Sequence, residues 1–105
     1  MATIPPEKYR ALKKEYPELF TALETLGECA KQAGPIEGKT AQLIQLAAAA
    51  ASRSEGAVHS HTRRALDAGA SREEIRHALL LLVSTIGFPH VTAALSWAED
   101  ILESP

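Results

Sequence analysis

The sequence contains a single cysteine, Cys29, among its 105 residues. One thiol excludes a disulfide within the chain, a Cys-x-x-Cys redox pair and a cysteine-rich zinc site. We expect Cys29 to be a small buried hydrophobic residue, because Ala22, Leu26 and Ala33 share its side of a predicted helix. Thiol–disulfide chemistry within one subunit is therefore excluded.

An excess of charge of one sign is also lacking. The 11 Lys and Arg residues and 13 Asp and Glu residues give a net charge of -2, with no basic field for nucleic acid or for a membrane surface. No apolar run approaches the roughly 18 residues of a membrane span, and the N-terminus lacks the residue order of a signal peptide. We expect one domain, residues 1–105, in the cytoplasm, with neither nucleic-acid nor membrane partners.

Helical periodicity runs through the chain, and no segment alternates with a period of two, which predicts an all-α fold. The predicted helices cover residues 7–15, 17 to about 33, 39–51, 54–69, 71–86 and 89 to about 102. Gly69 ends one helix and the capping box of Ser71 and Glu74 begins the next, so the two form a sharp hairpin. The second hairpin helix is apolar on every side, which predicts burial against another subunit.

The histidine of that hairpin is the main candidate for chemistry. His61 lies on a mostly apolar helix face, with Ala57 and Ser54 four and seven residues before it. An inward histidine with one hydrogen-bond partner suits general acid–base catalysis near neutral pH, and Ser54 would position a substrate. A core histidine bonded to a backbone carbonyl is the alternative, and the spacing leaves both open.

A metal site is not expected from the other histidines. His59 and His61 diverge by about 200 degrees around a helix, so they do not chelate one ion. His59 instead shares a face with Glu55 and Arg63, a pattern typical of a solvated ladder of charges. Without Cys, Asp or Glu at ligand spacing we predict no metal, although His77 and His90 leave open a site assembled from several helices or subunits.

Two segments carry a resemblance to a known family. The segment from Lys39 to Ile44 before an alanine-rich helix, and the segment from His61 to Ile75, resemble the carboxymuconolactone decarboxylase and alkylhydroperoxidase D family. The similarity covers about residues 36–102, and the turn at residues 86–89 resembles the Gly-Phe-Pro turn of the decarboxylase branch. The resemblance implies an alkylhydroperoxidase D-like bundle of five to six helices, an extensive subunit interface, and trimers or hexamers.

The peroxidase branch of that family uses a Glu, two Cys and a His at fixed spacing. The resemblance puts Gln42 at the glutamate position, Ser54 and Ala57 at the cysteine positions, and His61 at the histidine position. Peroxide reduction needs a thiolate to attack and a second thiol to resolve the sulfenic acid. Peroxidase activity is therefore disfavoured, and would have to depend on Cys29.

The decarboxylase branch removes CO2 from 4-carboxymuconolactone without a cofactor. The resemblance implies His61 as the general acid, with Ser54, Ala57, Gln42 and Arg64 as candidate substrate contacts. Arg64, three residues after His61, is a better neighbour than Arg63 for anionic groups. The competing hypothesis is a non-catalytic oligomeric homologue that binds a small molecule or a partner.

Overall fold

The computed structural model describes residues 6–103 and, at Pro6, the backbone alone. The helices are α1 (Pro6–Glu15), α2 (Pro17–Gln32), α3 (Gly38–Ala51), α4 (Glu55–Asp67), α5 (Arg72–Leu80), α6 (Val83–Ile86) and α7 (Phe88–Leu102). Within residues 6–103 all regular structure is helical, and α6 is a single turn of 4 residues. The all-α prediction and the count of five to six longer helices are confirmed. Residues 1–5, which include part of the segment judged not to be a signal peptide, lie outside the described range.

The described residues form two compact units, residues 6–37 and residues 38–103. In the first unit, the Tyr9 and Phe20 rings meet edge to face with centroids 5.2 Å apart. The helix α2 has no buried residue, and Cys29 is exposed. The prediction that Cys29 is buried is therefore wrong. Helical spacing correctly grouped Cys29 with small apolar neighbours, but spacing does not show whether anything covers that face.

The second unit contains the hydrophobic core. Its buried residues come from α3, α4, α5 and α7, with Ala70 from the hairpin turn: Leu46, Ala49, Ala50, Val58, Ala65, Ala70, Ile75, Leu79, Ala94, Ala98 and Leu102. Small alanines on α3, α4 and α7 allow these helices to approach closely, so the alanine run of α3 is a packing surface. This core fixes α4, which carries the candidate histidines.

The hairpin after α4 has the predicted caps. Gly69 adopts a φ of +98°, which ends the helix in a conformation that favours glycine. The Ser71 side chain accepts from the Glu74 N–H, and the Glu74 carboxylate accepts from the Ser71 N–H. That backbone bond, together with Lys39 Nζ at 2.9 Å, holds the pKa of Glu74 below its usual value. Local sequence chemistry therefore sets the register of α4 and α5.

The long helix predicted from residue 71 to residue 86 is wrong in one respect. It is interrupted at Leu81 and Leu82, where the Leu82 N–H donates to the Leu79 carbonyl in a tight turn. Leu80 and Leu81 are about half or more exposed, at 49% and 63%. A run of apolar residues without glycine or proline gave no sign of this turn.

The last helix follows the prediction. Gly87 precedes it with a φ of +91°, and Pro89 lies in its first turn, where its missing N–H has no helical partner to lose. Ala94, Ala98 and Leu102 are buried, while Trp97 and Ile101 are half-buried. Among the helices of residues 6–103, none is both long and apolar enough to cross a membrane.

Candidate active site

The structure brings His61 of α4 against Gln42 of α3. His61 Nδ1 lies 3.3 Å from Gln42 Oε1, and Gln42 is only 7% exposed. The imidazole itself is half-buried. The prediction of a histidine on an inward-facing part of α4 is thus matched by a buried polar side chain from a second helix.

The neutral amide of Gln42 defines what this histidine can do. When Nδ1 carries a proton, it donates to the Gln42 oxygen both in the neutral ring and in the imidazolium. The nitrogen that changes its protonation is then Nε2 of His61. In that tautomer the contact leaves Nε2 as the nitrogen at which the ring would gain or lose a proton.

Ser54 and Ala57 occupy the first turn of α4. The Ser54 hydroxyl oxygen accepts a hydrogen bond from the Ala57 N–H at 3.2 Å, which makes Ser54 the N-cap of the helix. Ala57 is half-buried and packs against the core. Ser54 therefore has a structural role at this position, and its predicted contact with a substrate would use the remaining capacity of the hydroxyl.

The arginines after His61 lie toward the end of α4. Arg63 and Arg64 are both exposed, and the Arg64 carbonyl accepts from the Ala68 N–H that caps the helix. A positive charge in the last turn of a helix is favourable in itself. The contact between Arg64 and a substrate stays a prediction.

Sequence reasoning missed two further polar groups next to the candidate residues. Within residues 6–103, Gln45 Oε1 and Thr62 Oγ1 are buried without a hydrogen-bond partner. Gln45 lies one turn after Gln42 on α3, and Thr62 follows His61 on α4 and is fully buried. The three-residue interval between the two glutamines was a usable signal for Gln45. Buried polar groups therefore accompany both halves of the Gln42–His61 contact.

His59 lies on the opposite flank of α4. The buried side chains of Val58, Thr62 and Ala65 form a stripe along the helix, with His61 to one side and His59 to the other. We call Gln42, Ser54, Ala57 and His61 the His61 flank. We call the second group the His59 flank, and it consists of Glu55, His59 and Asp100.

The His59 flank adds a carboxylate from α7 to the predicted ladder of charges. His59 Nε2 lies 3.0 Å from Asp100 Oδ2, a contact between residues 41 positions apart in the chain. Ligand atoms of Glu55, His59 and Asp100 all lie within 4.8 Å of one another. The expectation that no acidic residue lies at ligand spacing is therefore wrong, because α7 supplies one. His77 is exposed on α5, and His90 is half-buried on α7.

Comparison with known proteins points to one family. The model of the carboxymuconolactone decarboxylase family matches residues 17–100 of the chain. The chain is similar to the apo crystal structure of a carboxymuconolactone decarboxylase family protein from Legionella pneumophila, with a TM-score of 0.79 and 30% identity. That match covers 92% of this chain and 87% of the other.

Similar curated proteins are themselves uncharacterized. One from Methanocaldococcus jannaschii is 29% identical over 100 residues, covering 95% of this chain and 91% of that protein. A second from the same organism is 26% identical over 96 residues, covering 90% and 92%. One from Haemophilus influenzae is 33% identical over 59 residues, covering 56% and 52%.

Proposed function

Because the chain belongs to the carboxymuconolactone decarboxylase family, we propose that it is a cofactor-free carboxy-lyase of the cytoplasm. Its substrate class is a small lactone acid or related carboxylic acid, and His61 is the general acid–base. The single observation that supports this most is the half-buried His61 ring with Nδ1 at 3.3 Å from the buried amide of Gln42. A side chain held in this way suits repeated proton transfer at one atom.

The proposed reaction requires one proton and no redox partner. The bond between the lactone carbon and the carboxylate breaks, CO2 leaves, and the electron pair enters the conjugated lactone. His61 Nε2 then delivers a proton to carbon, and the ring regains a proton from solvent. Gln42 holds Nδ1 throughout, so it positions the ring and does not itself exchange a proton.

The remaining candidate residues would contact the substrate. Arg64 would attract the carboxylates, and the Ser54 hydroxyl would donate to an oxygen of the lactone. Ala57 would supply a small apolar wall where the peroxidase branch has a thiol. Peroxide reduction is disfavoured, because Ser54 and Ala57 occupy the positions where the peroxidase branch has its two cysteines. Any peroxidase rate that survives in Cys29→Ser is not thiol catalysis.

The test is CO2 release from 4-carboxymuconolactone and related lactone acids by the purified full chain. We expect His61→Ala to lower kcat/KM by roughly 10²- to 10⁴-fold, the usual contribution of general acid–base catalysis. The matched control is His77→Ala, which removes an exposed imidazole from α5. Unchanged turnover in His61→Ala would remove the proposed mechanism.

A second function is favoured because the Gln42 side chain is uncharged. A neutral amide stands where the peroxidase branch of the family has a glutamate, so the chain would be a non-catalytic homologue that binds a small molecule. This alternative predicts that lactone acids raise Tm without any release of CO2. Turnover by the wild-type chain that depends on His61 would exclude it.

We also propose that the chain forms a homo-oligomer, a trimer or hexamer by its resemblance to the family. Support comes from large apolar side chains that are about half or more exposed in the single chain: Leu19, Leu23, Leu26, Ile36, Ile44, Leu80, Leu81 and Phe88. Leu19, Leu23 and Leu26 lie at i, i+4 and i+7 on α2, and a continuous exposed apolar stripe of this kind is typical of a surface that binds another protein. Sedimentation equilibrium should give a mass several times that of the chain, and a monomer at micromolar concentration would contradict the proposal.

A further inference from the structure

We propose that Glu55, His59 and Asp100 form a binding site for a first-row divalent transition-metal cation. The observation is the convergence of one imidazole and two carboxylates, with ligand atoms all within 4.8 Å of one another. This inference is independent of the proposed decarboxylase, because His59 and His61 project about 200 degrees apart on α4.

Two helices bring the three side chains together. Glu55 and His59 are four residues apart, so they lie one turn apart on the same side of α4. Asp100 comes from the C-terminal half of α7, and α4 packs against α7 in the core of the unit. The site therefore rests on two regular helices whose positions are fixed by buried side chains, and not on a loop.

The distances are compatible with a single ion. Ligand atoms at about 2.0–2.2 Å from a zinc ion lie roughly 3–3.5 Å from one another. His59 Nε2 and Asp100 Oδ2 are already 3.0 Å apart. A Glu55 carboxylate oxygen lies within 4.8 Å of both atoms, and it would move closer to them when an ion binds. The ligand atom of His59 would be Nε2 of the neutral imidazole.

Burial and ligand type indicate the class of cation. The side chain of His59 is 23% exposed and that of Asp100 is 56% exposed, so water has access to complete the coordination. One imidazole nitrogen with two carboxylate oxygens suits Zn²⁺, Co²⁺, Ni²⁺ or Mn²⁺. Ca²⁺ and Mg²⁺ prefer oxygen ligands alone, and the imidazole therefore selects against them.

A metal ion bound at this site would link the start of α4 to the end of α7. An ion that binds the folded chain stabilises it by mass action, so Tm should rise with the concentration of free metal. An ordinary ion pair between His59 and Asp100 would show no such dependence. This difference separates a metal site from the simpler interpretation of the same contact.

The test uses the untagged full chain, treated with a chelator and then titrated with Co²⁺ and Zn²⁺. We expect saturable binding of one ion per chain by calorimetry, with a visible Co²⁺ absorption spectrum. His59→Gln and Asp100→Asn should each weaken metal binding by about tenfold or more. Loss of a residue that only hydrogen-bonds to a metal ligand already has an effect of this size, and loss of the ligand itself should be at least as severe. Circular dichroism checks that both variants keep their helices.

Matched controls are His77→Gln and Asp67→Asn, which make the same chemical changes at exposed positions outside the His59 flank. Both should bind Co²⁺ as the wild-type chain does. The proposal is overturned if the wild type shows no saturable binding, or if either His59→Gln or Asp100→Asn binds as tightly as the controls. Metal binding lost equally in the controls would also overturn it.

Discussion

Two histidines of one helix stand in different chemical surroundings. On the His61 flank, the ring meets the neutral amide of Gln42 from α3. On the His59 flank, the ring meets the carboxylate of Asp100 from α7. The buried stripe that contains Val58 and Thr62 separates them. Residue type therefore does not determine the role of a histidine here, because the neighbouring helix on each side supplies the chemistry.

The difference also separates the two proposals. A neutral partner leaves the His61 ring able to change its charge during a reaction, which suits proton transfer. The two carboxylates beside His59 supply oxygen ligands next to an imidazole nitrogen, which suits a metal ion. The buried stripe of α4 lies between the two proposed sites, and substitutions in and around it test their separation.

The largest expected loss of stability is at Leu46, on the side of α3 that carries Gln42. Leu46 lies one turn after Gln42 and is fully buried. Leu46→Ala should lower the free energy of unfolding by about 2–5 kcal/mol, because it removes apolar contacts and leaves a cavity. Chemical denaturation followed by circular dichroism measures this. A loss below about 1 kcal/mol would mean that this part of the core does not hold the His61 flank in place.

An intermediate loss of stability is expected at the hairpin that joins α4 to α5. Ser71→Ala removes half of the capping box and should cost about 0.5–2 kcal/mol of unfolding free energy. Ser96→Ala, at an exposed position within α7, is the matched control and should cost less. Equal effects in the two variants would show that the box does not stabilise the hairpin.

The same hairpin gives a pH dependence. The pKa of Glu74 is lowered in the folded chain, chiefly by the Ser71 N–H. The unfolded chain therefore binds this proton at higher pH, and the contribution of Glu74 is complete above its ordinary pKa. It is lost as the pH falls through the lowered pKa. We expect the difference in unfolding free energy between wild type and Glu74→Gln, measured by chemical denaturation, to be larger at pH 7 than at pH 3.

The smallest change in stability is expected at Thr62, in the buried stripe between the two flanks. Thr62 Oγ1 is buried without a hydrogen-bond partner in the described part of the chain. Thr62→Val keeps the shape and removes the hydroxyl, so stability should stay the same or rise by up to about 1 kcal/mol. In the control, Thr92→Val, an exposed hydroxyl that donates to the Phe88 carbonyl at 2.8 Å is lost instead. A clear loss of stability in Thr62→Val alone would mean that this hydroxyl does make a bond.

Local features of the fold were predictable from sequence. The capping box at Ser71, the glycine at position 69 and the proline at position 89 mark helix ends through short-range chemistry, and the structure has them where expected. The resemblance placed Gln42 and His61 at functional positions, and the structure adds that the two side chains meet.

Tertiary contacts were not predictable in the same way. Asp100 meets His59 across 41 residues, and no periodicity within α4 reveals a neighbour from α7. The exposure of Cys29 depends on what lies opposite α2, which helical spacing does not report. The interruption at Leu81 occurs inside a uniform apolar run, where local sequence offers no signal.

Whether His61 is the general acid is tested by the pH dependence of kcat/KM for CO2 release by wild type and by Gln42→Glu. An acidic partner favours the protonated imidazole, so the limb assigned to His61 should move to higher pH by about one unit or more. Gln32→Glu makes the same change at an exposed position on α2 and should leave the limb in place. A limb that does not move in Gln42→Glu, or a wild-type chain that releases no CO2, would contradict the proposal that His61 is the general acid of a decarboxylation.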